Sequence, residues 1–252
     1  MSGRPVTIIT GSSRGIGRAA AELLAGRGHR VVISSRDRGR CESVADAIGQ
    51  AGGEALAIAC HVGREDQLEN LVARTVDHFG GIDNLVLNAA SNPVYGPSEN
   101  VDSRAFDTVM RNNVFGALRL SHLARPHLAA AGGGSLVLVS SIAGLLGNRA
   151  IGAYGLSKAA GNQLVRNLAL EFGSAGIRVN GVAPGLVRTD FSRALMEDDR
   201  TMRHFEKTTP LGRIGEPEDI ARVVAFLVSE DSGWLSGQII VADGGMIVTG
   251  GF

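Results

Sequence analysis

VTIITGSSRGIG, residues 6–17, joins a short run rich in valine and isoleucine to a glycine-rich turn, and the helix-like RAAAELLAGRG follows directly. Glycines let such a turn pass close to a pyrophosphate, and the following helix offers free N–H groups and the positive end of its dipole. The spacing G-x3-G-x-G differs from the common G-x-G-x-x-G. Its place between a first strand and a first helix nevertheless predicts a nucleotide site, which would involve Gly11, Gly15 and Gly17.

The alternation of strand-like and helix-like stretches continues to the end of the chain. Strands are predicted at residues 6–10, 30–35, 54–59, 82–89, 134–141, 176–183 and 238–242. Helices are predicted up to about residue 28, through the forties, and at about 65–79, 102–129, 151–174 and 217–229. Repeated strand-helix-strand units with apolar strands predict a doubly wound, parallel α/β sheet of the Rossmann type, with helices on both faces and one domain over residues 1–252.

The longest irregular connection is expected at about residues 189–215. A connection of that length in a compact domain is often a lid over a site, and a surface excursion is the alternative.

Composition narrows the classes of partner. The 25 basic and 25 acidic residues cancel, so nucleic acid and anionic membranes are not expected partners and a small molecule is. The two cysteines form no CxxC pair, which argues against a disulfide scaffold and a thiolate metal site. The N-terminus shows no long apolar run, and we expect a cytoplasmic protein without a metal site.

The end of the second predicted strand indicates which nicotinamide cofactor would bind. A fold that prefers NAD places Asp or Glu there, whereas this chain has Ser34, Ser35 and Arg36. A carboxylate would repel a 2′-phosphate, while the Arg36 guanidinium can bind phosphate oxygens through two parallel hydrogen bonds. Arg14, in the glycine turn, can approach the same phosphate. The pattern predicts NADP(H), and the alternative is that both arginines are ordinary surface residues.

Tyr154 and Lys158 are four residues apart on one predicted helix, and therefore lie on the same face. Only two lysines occur among the 25 basic residues, and only two tyrosines in the chain. A nearby ammonium group is expected to lower the phenol pKa, which would make Tyr154 a usable proton donor and acceptor. Ser141 ends the fifth predicted strand at the carboxyl edge of the sheet, where it can hold a substrate oxygen. On residue type alone, Asn88 and Asn113 are equally compatible with turn or surface positions.

Over nearly its whole length the chain resembles the short-chain dehydrogenase/reductase family. The resemblance rests on motifs in the family's order: residues 10–17 (TGSSRGIG), 87–90 (LNAA), 112–114 (NNV), Ser140-Ser141 with Gly144, Tyr154-x3-Lys158, 184–189 (PGLVRT) and 243–245 (DGG). It implies that Tyr154 is the general acid or base, Ser141 polarises the substrate oxygen and Lys158 clamps the ribose. Asn113 would hold a water that links Lys158 to solvent.

The resemblance also implies a cofactor-binding set. Asn88 would lie on the adenosine ribose side, and Val187 with Thr189 would meet the nicotinamide carboxamide. The full predicted set is Gly11, Ser13, Arg14, Gly15, Ile16, Gly17, Ser35, Arg36, His61, Val62, Asn88, Ala89, Tyr154, Lys158, Pro184, Gly185, Val187 and Thr189.

Two positions depart from the family pattern. The family's Asn-Asn-Ala-Gly reads Leu87-Asn88-Ala89-Ala90 here, and His61 stands where an aspartate commonly contacts the adenine amino group. That contact is left to the His61 side chain, to backbone, or to neither. Residues 60–63 (CHVG) and 211–219 (LGRIGEPED) are similar to the NADPH-dependent carbonyl and retinal reductases of the family.

The predicted substrate pocket is mostly apolar, which suits an apolar ketone or aldehyde. Its candidate residues are the loop 91–96, Leu145, Leu146, Asn148, Ile151, Phe191, Leu195 and Met196. A 3-oxoacyl-thioester reductase would share every catalytic residue, and a non-catalytic NADP(H) sensor is the alternative from another class. The resemblance further implies a homotetramer with the long fourth and fifth helices and the last strand at its interfaces.

Overall fold

A computed structural model of the chain describes residues 3–196 and 199–249. In this range seven strands form one sheet in the order β3-β2-β1-β4-β5-β6-β7, and every neighbouring pair is parallel. The strands are β1 Val6–Thr10, β2 Arg30–Ser35, β3 Glu54–Ala59, β4 Asn84–Leu87, β5 Gly134–Val139, β6 Ile177–Pro184 and β7 Ile239–Ala242.

The helices that follow the strands cover both faces of the sheet. They are α1 Gly15–Gly26, α2 Arg38–Gln50, α3 Glu65–Phe79, α4 Ser103–Met110, α5 Gly116–Ala130, α6 Gly152–Phe172, α7 Arg193–Met196, α8 Asp199–Thr208 and α9 Pro217–Val228. One apolar core joins the sheet to α3, α5 and α6, and a second joins it to α1, α2 and α9. Because both faces are covered, β1 and β4 are buried along their whole length. The predicted doubly wound α/β fold is confirmed.

The order of the strands reverses between β1 and β4, so the segments that leave these strands turn to opposite faces. Ligands of open α/β sheets bind in the crevice that this divergence opens at the carboxyl edge. Here the crevice is braced by Thr10, whose hydroxyl accepts hydrogen bonds from the backbone N–H groups of Asn88 (3.0 Å) and Ala89 (3.1 Å).

Two predicted elements were wrong in detail. The helix expected over 102–129 is divided into α4 and α5 by a π-helical turn, Arg111–Phe115. The segment 189–215, expected to be irregular, is largely helical because it contains α7 and α8. Residues 197–198 of that segment, and residues 1–2 and 250–252 of the predicted domain, lie outside the described residues.

Candidate active site

A cavity of about 500 Å³ opens at the carboxyl edge, above β1 and β4. It is one continuous space from the glycine turn to the start of α6. The predicted residues that line it are Gly11, Ser13, Arg14, Gly15, Ile16, Arg36, His61, Val62, Asn88, Ala89, Ser141, Tyr154, Lys158, Pro184, Gly185, Val187 and Thr189. The structure thus brings most of the predicted site together.

Three predicted residues lie behind the cavity wall. Gly17 is in the first turn of α1, so near Gly11 that a Cβ at Gly17 would sit 2.5 Å from the Gly11 carbonyl oxygen. The Ser35 hydroxyl lies 3.1 Å from the Cys41 sulfur and accepts the Asp37 backbone N–H at 3.2 Å. Asn113 is buried in the π-helical turn. The structure does not place these three residues in the cavity lining, and their predicted roles stay predictions.

The glycine turn packs against the backbone after β4 on one side and offers backbone N–H groups to an anion on the other. Gly11 has φ +67°, and a Cβ there would meet Ala89 Cα and Asn88 Nδ2 at 2.9 Å. The Asn88 side-chain amide donates to the carbonyls of Thr10 (3.0 Å) and Gly11 (3.1 Å). Asn88 therefore ties the turn to the end of β4, and its place beside the adenosine ribose stays a prediction. At the N-terminus of α1, the N-cap Arg14 makes no side-chain capping bond, so no side chain at the cap occupies the free N–H groups of the first turn.

The ends of β1 and β2 are tied together beside this turn. The Ser12 N–H donates to the Ser34 carbonyl (3.1 Å), and the Ser34 N–H donates to the Ser12 hydroxyl (2.8 Å). The carboxylate next in sequence, Asp37, is the N-cap of α2: it accepts the Arg40 backbone N–H and also pairs with the Arg40 guanidinium at 3.1 Å. Both interactions hold the Asp37 carboxylate at the start of α2. Arg36 is the charged residue of this strand end that lines the cavity.

Close packing of the turn after β5 on α6 brings Ser141 close to Tyr154. A Cβ at Gly144 would lie 2.7 Å from the Lys158 carbonyl carbon, and one at Gly155 would lie 2.8 Å from the Ala143 carbonyl oxygen. The turn after β5 therefore rests directly on the backbone of α6. The Ser140 hydroxyl donates to Asn162 Oδ1 at 2.6 Å and fixes the same junction from inside.

Lys158 is 5% exposed and projects under Tyr154. Its Nζ donates to the Val139 carbonyl at 2.7 Å and lies 5.3 Å from the centroid of the Tyr154 ring. Burial lowers the pKa of Lys158 to about 8. An ammonium has three donors, and this bond uses one.

The expected direction of the Tyr154 pKa was wrong. Tyr154 is 8% exposed, and burial raises the pKa of its phenol, while interaction with the Ser141 hydroxyl opposes that rise. Desolvation of the ring, which the sequence alone does not reveal, is the largest cause of the shift. The phenol is therefore protonated at neutral pH.

Asn113 connects the substrate side to α6. Its Oδ1 accepts the Ser91 N–H (2.8 Å), and its Nδ2 donates to the Ser91 carbonyl and the Ser157 hydroxyl, both at 3.0 Å. Ser157 in turn donates to the Tyr154 carbonyl at 2.7 Å. A second cavity of about 10 Å³, roughly the size of one water, lies between Asn113 and Lys158. A π-helical turn of this kind is frequent at functional sites.

The segment 189–215, the predicted lid, contacts the catalytic end through Phe191. Its ring centroid is 5.5 Å from that of Tyr154, and its carbonyl accepts a hydrogen bond from the Tyr95 hydroxyl at 3.2 Å. The residues of this mouth that line the cavity are Ser91, Asn92, Tyr95, Ile142, Leu146, Asn148, Ile151, Phe191, His204, Phe205 and Met246. The structure places the predicted Leu145 and Met196 outside this lining, and the Leu195 side chain is not among those described. The helical residues His204 and Phe205, and Met246 near the C-terminus, were missed because no local motif marks them.

His61 is one of the residues that line the cavity. The imidazole Nδ1 of His61 accepts the Gly63 backbone N–H at 3.1 Å, and the His61 backbone N–H donates to Gln67 Oε1 at 2.7 Å. Because the adenine amino group is a donor, the backbone group that could bind it is the His61 carbonyl, which already accepts the Arg64 N–H at 2.9 Å.

Comparison with known proteins agrees with this geometry. Residues 11–247 match the family model described as "Enoyl-(Acyl carrier protein) reductase". The chain is 40% identical over 245 residues to dehydrogenase/reductase SDR family member 4 of Bos taurus, covering 96% of this chain and 87% of that protein. The chain belongs to the short-chain dehydrogenase/reductase family. As a member of that family it is an oxidoreductase.

Two further family members resemble the chain. Member 4 of Homo sapiens is 40% identical over 243 residues, covering 95% of this chain and 86% of that protein. A 7α-hydroxysteroid dehydrogenase solved with NADH and 7-oxo glycochenodeoxycholic acid superposes with a TM-score of 0.93 at 35% identity, covering 96% of this chain and 94% of that one. Within the described part of the chain, no helix has the length and apolarity to cross a membrane.

Proposed function

We propose that the chain is an NADP(H)-dependent oxidoreductase that moves a hydride between the nicotinamide and the carbon of a carbonyl or secondary alcohol, and that it reduces apolar ketones or aldehydes. The observation that carries this proposal is one continuous cavity that holds Ser141, Tyr154 and Lys158 at one end and Arg14 and Arg36 at the other.

The residues present fit a nicotinamide dinucleotide. The glycine turn and the first turn of α1 offer backbone donors to a pyrophosphate, and Lys158 has donors for ribose hydroxyls. The relative solved with NADH supports this class of cofactor. Arg14 and Arg36 line the cavity, while the Asp37 carboxylate is bonded at the start of α2. This arrangement supports NADP(H), the form of the cofactor that carries a 2′-phosphate. Bound in this cavity, the cofactor supplies or accepts the hydride.

The chain's own residues then handle the oxygen and the proton. The Ser141 hydroxyl holds the substrate oxygen beside Tyr154, and the Tyr154 phenol, protonated at neutral pH, donates its proton to that oxygen as reduction proceeds. Lys158, charged below about pH 8, stabilises the phenolate that remains. Asn113 keeps α6 and the loop at Ser91 in register, and we retain a relay water between Asn113 and Lys158 as part of the proposal.

The class of substrate follows from the mouth of the cavity. The mouth has an apolar wall of Ile142, Leu146, Ile151, Phe191 and Phe205, interrupted by the polar residues Ser91, Asn92, Asn148 and His204, and Ser141 and Tyr154 are the polar groups at its catalytic end. The resemblance to member 4 proteins, named as dehydrogenase/reductases, agrees with a carbonyl substrate. The second candidate is a 3-oxoacyl-thioester reductase, which the acyl-carrier-protein description of the matching family model favours.

We also propose a cytoplasmic homotetramer. Leu156 and Leu170, fourteen residues apart on one face of α6, are 59% and 85% exposed, and pairing of this face with a second copy of the chain would bury them. Both cysteines are free and buried, which fits a reducing compartment. Light scattering after gel filtration tests the tetramer, and a monomer at micromolar concentration would contradict it.

The reaction is tested by measuring NADPH oxidation in parallel on an aromatic α-dicarbonyl and on an acetoacetyl thioester, with NADH in matched assays. Faster turnover of the dicarbonyl with NADPH supports the proposal. Preference for the thioester establishes the second candidate, and equal use of NADH refutes the phosphate preference.

A further inference from the structure

Arg14, on the glycine turn, is held by a residue of the lid. Its Nη1 lies 3.2 Å from Asp190 Oδ2, and the two side chains are 55% and 40% exposed. The other carboxylate oxygen, Asp190 Oδ1, pairs with Arg193 at 2.5 Å. Asp190 thus holds two guanidinium groups, one from the cofactor side and one from its own lid.

The base of the lid also packs on the glycine turn. A Cβ at Gly15 would lie 3.2 Å from Thr189 Cγ2, so the residue before Asp190 touches the turn that carries Arg14. The Ser12–Ser34 hydrogen bonds hold this turn beside the end of β2. Arg14 lies two residues after Ser12, and Arg36 lies two residues after Ser34. The Arg14–Asp190 contact therefore lies where the phosphate-binding turn and the lid meet.

We infer that Asp190 competes with the 2′-phosphate of the cofactor for Arg14, an inference that rests on the proposed preference for NADP(H). The doubly charged phosphate offers more charge and more acceptors than a carboxylate, and exposed ion pairs are weak, so the guanidinium exchanges partners when the phosphate binds. Asp190 keeps Arg193. Since Phe191 follows Asp190 and contacts the Tyr154 ring, the exchange frees the start of the lid from the glycine turn.

Asp190 is accordingly a specificity-determining residue that weakens binding of the phosphorylated cofactor. The substitution Asp190→Asn removes the competing charge while keeping the shape of the side chain. A capping box between Thr189 and Ser192 supports this turn without the Asp190 carboxylate, so the variant is expected to fold.

The experiment is calorimetric titration of the full chain with 2′,5′-ADP and with 5′-ADP, which carry no nicotinamide. Asp190→Asn is expected to lower the dissociation constant for 2′,5′-ADP by about two- to fivefold, the range of an exposed ion pair, and to leave that for 5′-ADP unchanged. In an Arg14→Met background the same substitution is expected to change neither. Asp77→Asn, near the C-terminal end of α3, is the matched control for loss of one negative charge.

The outcomes separate the two proposals. If the wild-type chain binds 2′,5′-ADP no more tightly than 5′-ADP, the preference for NADP(H) is wrong. If the wild type prefers 2′,5′-ADP but Asp190→Asn leaves that preference unchanged or weakens it, the competition is wrong and the cofactor proposal stands. An effect of Asp190→Asn that persists without Arg14, or that Asp77→Asn reproduces, also overturns the inference.

Discussion

Replacing Gly144 with alanine tests how strictly the turn after β5 positions Ser141. The new Cβ would lie 2.7 Å from the Lys158 carbonyl carbon and 2.8 Å from the Ala159 nitrogen. Both are backbone atoms of α6, which cannot rotate away. Because ordinary Cβ contacts begin near 3.4 Å, the turn must move by about 0.7 Å relative to α6.

That displacement separates Ser141 from Tyr154, since one is on the turn and the other on the helix. Misplacement of a reacting group by about 1 Å can cost ~100-fold in rate, so we expect Gly144→Ala to lower kcat about 10- to 100-fold. Overpacking of this kind also costs about 1–3 kcal/mol in the free energy of unfolding. The new Cβ meets Lys158 and Ala159 rather than the glycine turn, so the dissociation constant for NADPH should change less than kcat does.

The assay combines steady-state reduction of an apolar ketone, NADPH titration by fluorescence and urea denaturation. Gly173→Ala is the matched control because Gly173 has helical φ and ψ, and a Cβ there meets no atom of the described residues within 4 Å. It should retain wild-type kcat and stability. A Gly144→Ala variant with wild-type kcat would refute the claim that this contact sets the catalytic geometry.

Three further predictions concern the site and its supports. Burial lowers the pKa of Lys158 from 10.5 to about 8, so between these two values the unfolded chain binds one more proton than the folded chain does. The contribution of Lys158 to the free energy of unfolding therefore rises with pH over this range. In urea melts the wild type should become more stable relative to Lys158→Met from pH 8 to pH 10. Tyr95→Phe removes the hydrogen bond to the Phe191 carbonyl, and should raise the ketone KM about two- to fivefold while kcat and NADPH affinity stay within twofold; a changed kcat with an unchanged KM would contradict this. Arg178 donates to carbonyls at the end of α9, so Arg178→Met should lower the free energy of unfolding by about 2 kcal/mol without changing KM, and an unchanged melt would contradict that role.

The elements set by short-range pattern were predictable from the sequence. The runs at β1 and β2 are buried on both faces and therefore read as continuous apolar segments. The glycine turn, and the four-residue spacing of Tyr154 and Lys158, are local as well, so the residues at the two ends of the cavity are recognisable from the sequence alone.

The parts that depend on distant residues were not predictable in this way. The π-helical turn at Arg111–Phe115 has no sequence signature of its own, and Asn113 within it bonds Ser91 and Ser157, 22 and 44 residues away. The sign of the Tyr154 pKa shift depends on how completely the fold covers the ring. The Arg14–Asp190 pair joins residues 176 apart.

The most direct test of the central claim is the rate of NADPH oxidation on an apolar ketone by Tyr154→Phe, with Tyr95→Phe, the chain's other tyrosine, as control. Loss of the proton donor should lower kcat about 10²- to 10⁴-fold while NADPH binds as in the wild type, and Tyr95→Phe should keep kcat within twofold. Turnover by Tyr154→Phe at the wild-type rate would contradict the account.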